Sequence, residues 1–80
     1  MKVMVNSKTG QTLKITEHMM TRNFWEYYVT DETDGDIARC LVLGFEDEIG
    51  DVYLPEIAPY IITKTKKLSG VMPAPGWNWK

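Results

Sequence analysis

Carboxylates are the commonest side chains in this sequence that can do chemistry, and most of them fall in two short stretches. Eight of the eleven acidic residues lie within positions 31–36 and 46–51. Carboxylates at close spacing serve as general acids and bases or as calcium ligands. The residues concerned are Asp31, Glu32, Asp34 and Asp36 in the first stretch and Glu46, Asp47 and Glu48 at the start of the second.

Neither use fits the spacing of these acids. With Gly35 at the sixth position of an EF-hand loop, the first and twelfth positions are Thr30 and Leu41, so two required oxygen ligands are missing. Both stretches also have the composition of exposed turns, where carboxyl groups are solvated and not arranged for acid–base catalysis.

His18 and Cys40 are the other reactive side chains, and each occurs once. A zinc site needs several His or Cys ligands, so this pair cannot form one. A Cys–His dyad would need the two to meet, but Cys40 lies in the apolar stretch 38–43, which is typical of a packing cysteine. The sequence has no Gly-rich phosphate loop either. We therefore expect a protein that is not an enzyme and has no cofactor or metal.

The chain length and composition predict one small soluble domain. Eighty residues with 44% hydrophobic and 25% charged side chains are ordinary for a globular protein. A lone cysteine suits a reducing compartment, no apolar run is long enough to span a bilayer, and the first residues do not resemble a signal peptide. The expected location is the cytoplasm, with no membrane contact.

Evenly spaced turn signals predict short antiparallel strands. A hairpin is expected around residues 7–10, and the strongest strand at 24–30, with Trp25, Tyr27 and Val29 on one face. Turns at 31–36 and 46–51 flank a strand at 37–45 that is apolar on both faces, and a last strand is expected at 60–68. Pro55 opens one short helical turn. The predicted class is mainly β, a small antiparallel barrel or strongly curved sheet of SH3-like size with five or six strands.

The carboxyl-terminal residues differ in character from the rest. Residues 1–70 are expected to form the β-rich domain, and residues 71–80 a tail in which Pro73, Pro75 and Gly76 prevent regular structure. Trp77 and Trp79 in this tail either fold back to plug an open end of the domain, which is the favoured interpretation, or project as anchors for a partner. Phe24 and Tyr28 occupy the strand face opposite Trp25 and would form an aromatic patch if exposed together.

Charge is segregated along the chain. Residues 26–56 contain ten acids and one base, Arg39, whereas the flanking segments are basic. The two acidic turns are expected at opposite ends of the strand between them, so they cannot pool their carboxylates. They either keep the protein soluble or meet a partner protein with a basic surface. Nucleic acid is not an expected partner, because only Lys64, Lys66 and Lys67 cluster.

The stretch from Trp25 to Ile57 resembles an uncharacterised family of small proteins carried by plasmids, integrated elements and phages. The resemblance lies in the Trp-containing strand, the Thr-Asp-Glu that follows it, Gly35-Asp36-Ile37-Ala38, the Gly44–Gly50 segment and Leu54-Pro55-Glu56-Ile57. It implies a bacteriophage or mobile-element origin, and hence the cytoplasm of a bacterial host cell, but it implies no activity and no site residues.

These observations lead to three hypotheses about function. The first is a phage or mobile-element accessory protein that binds and inhibits a host protein, such as a defence nuclease or a polymerase, through the acidic turns and Trp77 and Trp79. The alternative is a small-ligand or signalling-nucleotide binder with a pocket lined by Trp25, Tyr27, Lys64 or Lys66. The second alternative is a structural or assembly component of a phage particle. A homodimer formed by edge-strand pairing fits any open sheet.

Overall fold

Seven β-strands make up most of the molecule in a computed structural model that describes all residues, 1–80. The strands are β1 (Lys2–Asn6), β2 (Thr12–Thr21), β3 (Glu26–Asp34), β4 (Ile37–Leu43), β5 (Asp47–Tyr53), β6 (Ile61–Thr65) and β7 (Trp77–Trp79). One short helix, α1 (Leu54–Ile57), continues into a 3₁₀ turn at Ala58–Tyr60, and a second 3₁₀ turn spans Leu68–Gly70. The predicted mainly-β class is confirmed. No helix here has the length and apolar character needed to cross a membrane.

All strand pairs are antiparallel and belong to a single sheet in the order β5-β4-β3-β2-β1-β7. The sixth strand lies off this path, because β2 pairs with β1 through residues 12–15 and with β6 through residues 18–21. The sheet does not close, so a strongly curved sheet describes it better than a barrel.

A β-bulge in β2 lets this strand contribute to both faces of the sheet. Ile15 lies opposite Thr30 and Glu17 lies opposite Val29, so Thr16 is the extra residue. Before the bulge, Leu13 and Ile15 enter one core; after it, Met19 enters the other. The sequence predicts an irregular connection over 17–23, and this is wrong for residues 17–21, because the bulge breaks the alternation while the backbone ladder continues.

Two hydrophobic cores lie on opposite sides of the sheet because β3 is buried on both faces from Tyr27 to Thr30. The first core holds Met4, Leu13, Ile15, Tyr28, Leu41, Leu68, Ala74 and Trp77. The second holds Met19, Tyr27, Val29, Ala38 and Cys40, with Trp25, Leu54, Ile57 and Ile61 packed against it. The predicted shared face of Trp25, Tyr27 and Val29 is confirmed. In β1, by contrast, Met4 is the fully buried residue and Val3 and Val5 are half-buried.

Several acidic residues predicted in turns belong to strands. The third strand extends to Asp34, and the tight turn is confined to Gly35 and Asp36, where Gly35 has a φ of 60°. The fifth strand begins at Asp47, so Asp47, Glu48 and Asp51 lie on an edge strand. Their side chains are exposed, and because polar side chains do not prevent backbone pairing, the ladder runs through them.

The tail is part of the sheet. Trp77 and Trp79 lie in β7, which pairs with β1, so the expectation that residues 71–80 lack regular structure is wrong for its last residues. Trp77 is 8% exposed and belongs to the first core. Trp79 is half-buried on the same side, and its indole N–H donates to the Val71 carbonyl at 2.7 Å. Residues two apart in a strand share a face, so both indoles pack inward.

We predict that Trp77→Ala lowers the free energy of unfolding by about 3–5 kcal/mol, because it empties the part of the first core that the tail fills. Asn78→Ala is the matched control: Asn78 is exposed on the same strand, and its replacement should change stability by no more than about 0.5 kcal/mol. Urea unfolding followed by circular dichroism measures both. Equal stabilities of the two variants would contradict a docked tail.

Candidate functional site

Three exposed aromatic residues are associated with the half-buried Trp25 at one end of the second core. Phe45 packs against its ring, Tyr60 lines a groove with it, and Phe24 precedes it in the chain. We call Phe24, Trp25, Phe45 and Tyr60 the aromatic surface. Phe24 is 75% exposed, Phe45 94% and Tyr60 51%. Single exposed apolar residues are normal on a protein, whereas several exposed aromatic residues associated with one ring make a candidate interaction site. The local structure explains how each of them reaches this position.

The turn between β2 and β3 presents Phe24. The Phe24 N–H donates to the Thr21 carbonyl, and the Thr21 N–H donates to the Trp25 carbonyl, both at 2.9 Å. Closing this turn places Phe24 at a φ of 66°, and it is the one non-glycine residue with positive φ in the chain. A bulky residue is disfavoured in that conformation, and Phe24 recovers little burial in return. The fold therefore does not require an aromatic residue here.

Gly44 and Phe45 fix the position of the Trp25 ring. A Cβ atom on Gly44 would lie 2.7 Å from the Trp25 ring, so only glycine allows the indole to rest against the backbone there. The Phe45 ring meets Trp25 edge-on, with centroids 5.2 Å apart and an interplanar angle of 83°. This is a favourable aromatic geometry. It also holds the exposed Phe45 beside Trp25.

A groove of about 610 Å³ lies next to Trp25. The Arg22 guanidinium sits 5.3 Å from the centroid of the Tyr60 ring at its rim, and Asn23 adds an amide. The groove is therefore apolar and aromatic, with one cation and one amide available for polar contacts. Its lining consists of Thr21, Arg22, Asn23, Trp25, Tyr27, Ile57 and Tyr60.

The two acidic stretches have different relationships to this site. In the second stretch, Glu46 and Glu48 line a depression together with Trp25 and Phe45, so they form an acidic rim on the aromatic surface. Neither makes an ion pair within the chain. Asp47 is exposed next to them on β5.

The first acidic stretch lies at the opposite end of β4, as predicted. Asp31, Glu32, Asp34 and Asp36 are all exposed there. Glu32 and Asp51 face Arg39, at 4.0 and 3.6 Å, and Asp34 lines the same shallow depression. The structure therefore does not bring the first stretch to the aromatic surface.

The other aromatic candidates are positioned differently from the hypotheses. Tyr28 is 2% exposed, so the predicted exposed patch of Phe24 and Tyr28 is wrong. Its hydroxyl donates to the Met72 carbonyl at 2.8 Å and so fastens the tail to the sheet. Trp77 and Trp79 pack inward, and the interpretation in which they project as partner anchors does not fit this arrangement. The exposed aromatic side chains are instead Phe24, Phe45, Tyr53 and Tyr60, of which Tyr53 lies on β5 outside the aromatic surface.

His18 and Cys40 lie on opposite faces of the sheet and cannot form a dyad. The His18 ring packs against Tyr28 at 4.8 Å in the first core, whereas Cys40 belongs to the second core. The His18 Nε2 atom instead contacts Glu26 Oε1 at 2.9 Å. Burial, with smaller contributions from Asp51 and Glu17, raises the pKa of the Cys40 thiol from 9.0 to about 12. The thiol is therefore neutral and unreactive in the folded protein. No group of three or more His, Cys, Asp or Glu side chains is placed to hold a metal ion.

The alternative ligand pocket is found only in part. Trp25 and Tyr27 line the groove together, but Lys64 and Lys66 do not, and Arg22 takes the place of a lysine. Sequence reasoning missed Arg22, Phe45 and Tyr60. The available signal was Phe45 itself, a large aromatic between glycine and acidic residues in a turn, where a buried role is not expected.

The fold and this site define a mainly β protein with an exposed aromatic surface. No protein-family model, curated protein or solved structure matches this chain. These comparisons therefore indicate no function for the chain.

We predict that Gly44→Ala displaces the Trp25 ring and lowers the free energy of unfolding by about 1–3 kcal/mol, because the new methyl group overlaps the indole. Gly50→Ala is the control, since a Cβ there meets no atom within 4 Å. Denaturant unfolding gives the stabilities, and the indole N–H signals in an NMR spectrum report the ring position. An unmoved Trp25 signal in Gly44→Ala would show that the contact is not tight.

Stability should decline at alkaline pH. Burial, and to a smaller extent the Glu26 carboxylate, raises the pKa of Tyr28 from 10.0 to about 12. The folded protein therefore holds Tyr28 and Cys40 in their neutral forms, and ionisation of either side chain favours unfolding. Their contribution is complete below about pH 9 and is lost as the pH rises through about 12. Urea unfolding at a series of pH values measures this loss. In Cys40→Ala the decline above pH 9 should be shallower, and an unchanged slope would contradict the Cys40 contribution.

Proposed function

We propose that this protein is a binding module with no chemistry of its own, and that it binds a partner protein through the aromatic surface. The observation that carries the proposal is Phe24, which is held at a φ of 66° and left 75% exposed. Unfavourable backbone conformations persist mainly where function requires them. Large aromatic side chains are also the residue type that dominates binding energy at protein interfaces.

The charges around the aromatic surface favour a partner with a basic or mixed surface. Glu46 and Glu48 border Trp25 and Phe45, and Arg22 lies on the other side, above Tyr60. An apolar centre with a charged rim is the usual composition of a specific interface. Of the acidic residues predicted to bind a partner, Glu46 and Glu48 support this role through their position.

The resemblance to proteins of phages and plasmids would make the partner a host protein, and inhibition would follow if the aromatic surface covered a functional site on it. A defence nuclease or a polymerase has the basic nucleic-acid groove that an acidic rim would meet. Steric and electrostatic blockade needs no catalytic group, which is compatible with the buried, unreactive Cys40.

We predict that the double variant Phe24→Gly/Phe45→Ser loses its partner and keeps its fold. Phe24→Gly alone should raise the free energy of unfolding by up to about 1 kcal/mol, because glycine accepts the positive φ. Met72→Ser, which alters another exposed apolar side chain, is the control. The measurement is affinity capture from bacterial lysate with quantitative mass spectrometry, using the unchanged protein, the double variant and Met72→Ser. A protein retained by Met72→Ser and lost by the double variant supports the proposal. Equal capture by all three would contradict it.

A small-ligand binder is the second candidate, favoured by the groove of about 610 Å³ that Trp25 and Tyr27 line. Its aromatic walls suit a planar ring, and Arg22 suits an anionic group, which together describe a nucleotide. In this case the lysate capture would recover no protein, and a panel of nucleotides would contain one that raises the melting temperature by mass action. Arg22→Ala would remove that shift.

A further inference from the structure

Two edges of the sheet carry opposite charges. The fifth strand pairs only with β4, and the sixth pairs only with β2, so each leaves its outer backbone groups without a strand partner. Residues 47–53 contain three acids and no base, whereas residues 61–67 contain three bases and no acid. Unpaired edges are templates for pairing with another chain.

Both edges lie at the same level of the sheet. The observed registers connect Lys64 to Met19, Met19 to Tyr27, Tyr27 to Val42 and Val42 to Glu48. One row of directly paired residues thus begins at Lys64 on one edge and ends at Glu48 on the other. Directly paired residues point to the same face of a sheet, so the two charged side chains also share a face.

We propose that copies of this chain associate head to tail, with the β5 edge of one copy against the β6 edge of the next. In the register that continues the row across the contact, Glu48 of the first copy lies beside Lys64 of the second. The two strands then run parallel, because four antiparallel pairings separate β5 from β6 and an even number of reversals restores the strand direction. Backbone hydrogen bonds supply the attraction, and the opposite charges select the edge.

The same charges disfavour a symmetric homodimer. Two β5 edges together would bring six acids and no base into one strand pair, and two β6 edges would bring the lysines of residues 61–67 together with no acid. Like charges placed opposite each other destabilise strand pairing. The remaining arrangement is a heterologous contact, in which β5 of one copy meets β6 of the next. Repeating such a contact produces a ring if the rotation between successive copies returns to the first copy, and a filament if it does not.

The Glu48 and Lys64 side chains both remain available for an ion pair with another molecule. Glu48 makes no ion pair, and Lys64 contacts Glu17 at 3.9 Å while its side chain stays 60% exposed. The bulge that places Ile62 outside the β2 register leaves residues 63–65 as the regular part of the β6 edge.

A charge-swap experiment on the full chain tests the proposal. Sedimentation velocity over a concentration series at low salt should show association that weakens in about 1 M NaCl, where the Debye length is about 3 Å. Glu48→Lys and Lys64→Glu should each weaken association about fivefold, and the double variant carrying both should restore it. Lys66→Glu provides a second reversal that leaves the Glu17 contact intact. Circular dichroism confirms that each variant is folded.

The outcomes separate this proposal from the proposed function. Association rescued by the double swap, and unaffected by Phe24→Gly/Phe45→Ser, supports edge pairing whether or not a partner protein is found. A monomer at every concentration, or a dimer that resists both single reversals, would overturn it. A dimer abolished by Phe24→Gly/Phe45→Ser would also overturn it and would assign self-association to the aromatic surface.

Discussion

The burial of β3 on both faces is the constraint from which the rest of this structure follows. Tyr28 and Tyr27 point to opposite sides, and each side must be covered by chain that follows later in the sequence. The tail covers the Tyr28 side, and α1 with its 3₁₀ turn covers the other. Eight large apolar side chains nonetheless stay exposed, among them Phe24, Phe45, Tyr53 and Tyr60. In a chain of 80 residues, whose core is small, such exposure is informative.

The aromatic surface is therefore unexpected in so small a protein. Phe24 and Phe45 could have contributed to a small core, yet the turn conformation and the Gly44 contact hold them outside it. The tail tryptophans show the contrast, since both were available for binding and both pack inward. The same residue type thus serves stability in β7 and remains exposed around Trp25, and the local backbone decides which.

The sequence predicted the strands whose side chains alternate or are apolar throughout, including the hairpin around residues 7–10. The strand predicted at 37–45 is present but ends at Leu43, and Phe45 lies exposed beyond it. The sequence could not predict the continuation of β2 past Glu17, because one inserted residue, Thr16, reverses the faces and erases the alternation. It could not predict β7 either, since Pro73 and Pro75 obscure a strand of three residues whose register depends on β1. Long-range pairing determines both features.

The candidate site was harder to predict than the fold for a related reason. Runs of charge are visible in a sequence, so partner binding was predicted for both acidic stretches. Only Glu46 and Glu48 reach the aromatic surface. The residues that define it depend on a positive φ at Phe24 and on the close contact of Gly44 with the Trp25 ring, and neither can be read from the sequence. The relation between the two charged edges is hidden in the sequence in the same way. Lys64 and Glu48 are sixteen positions apart in the chain, and only the four strand registers place them in one row of paired residues.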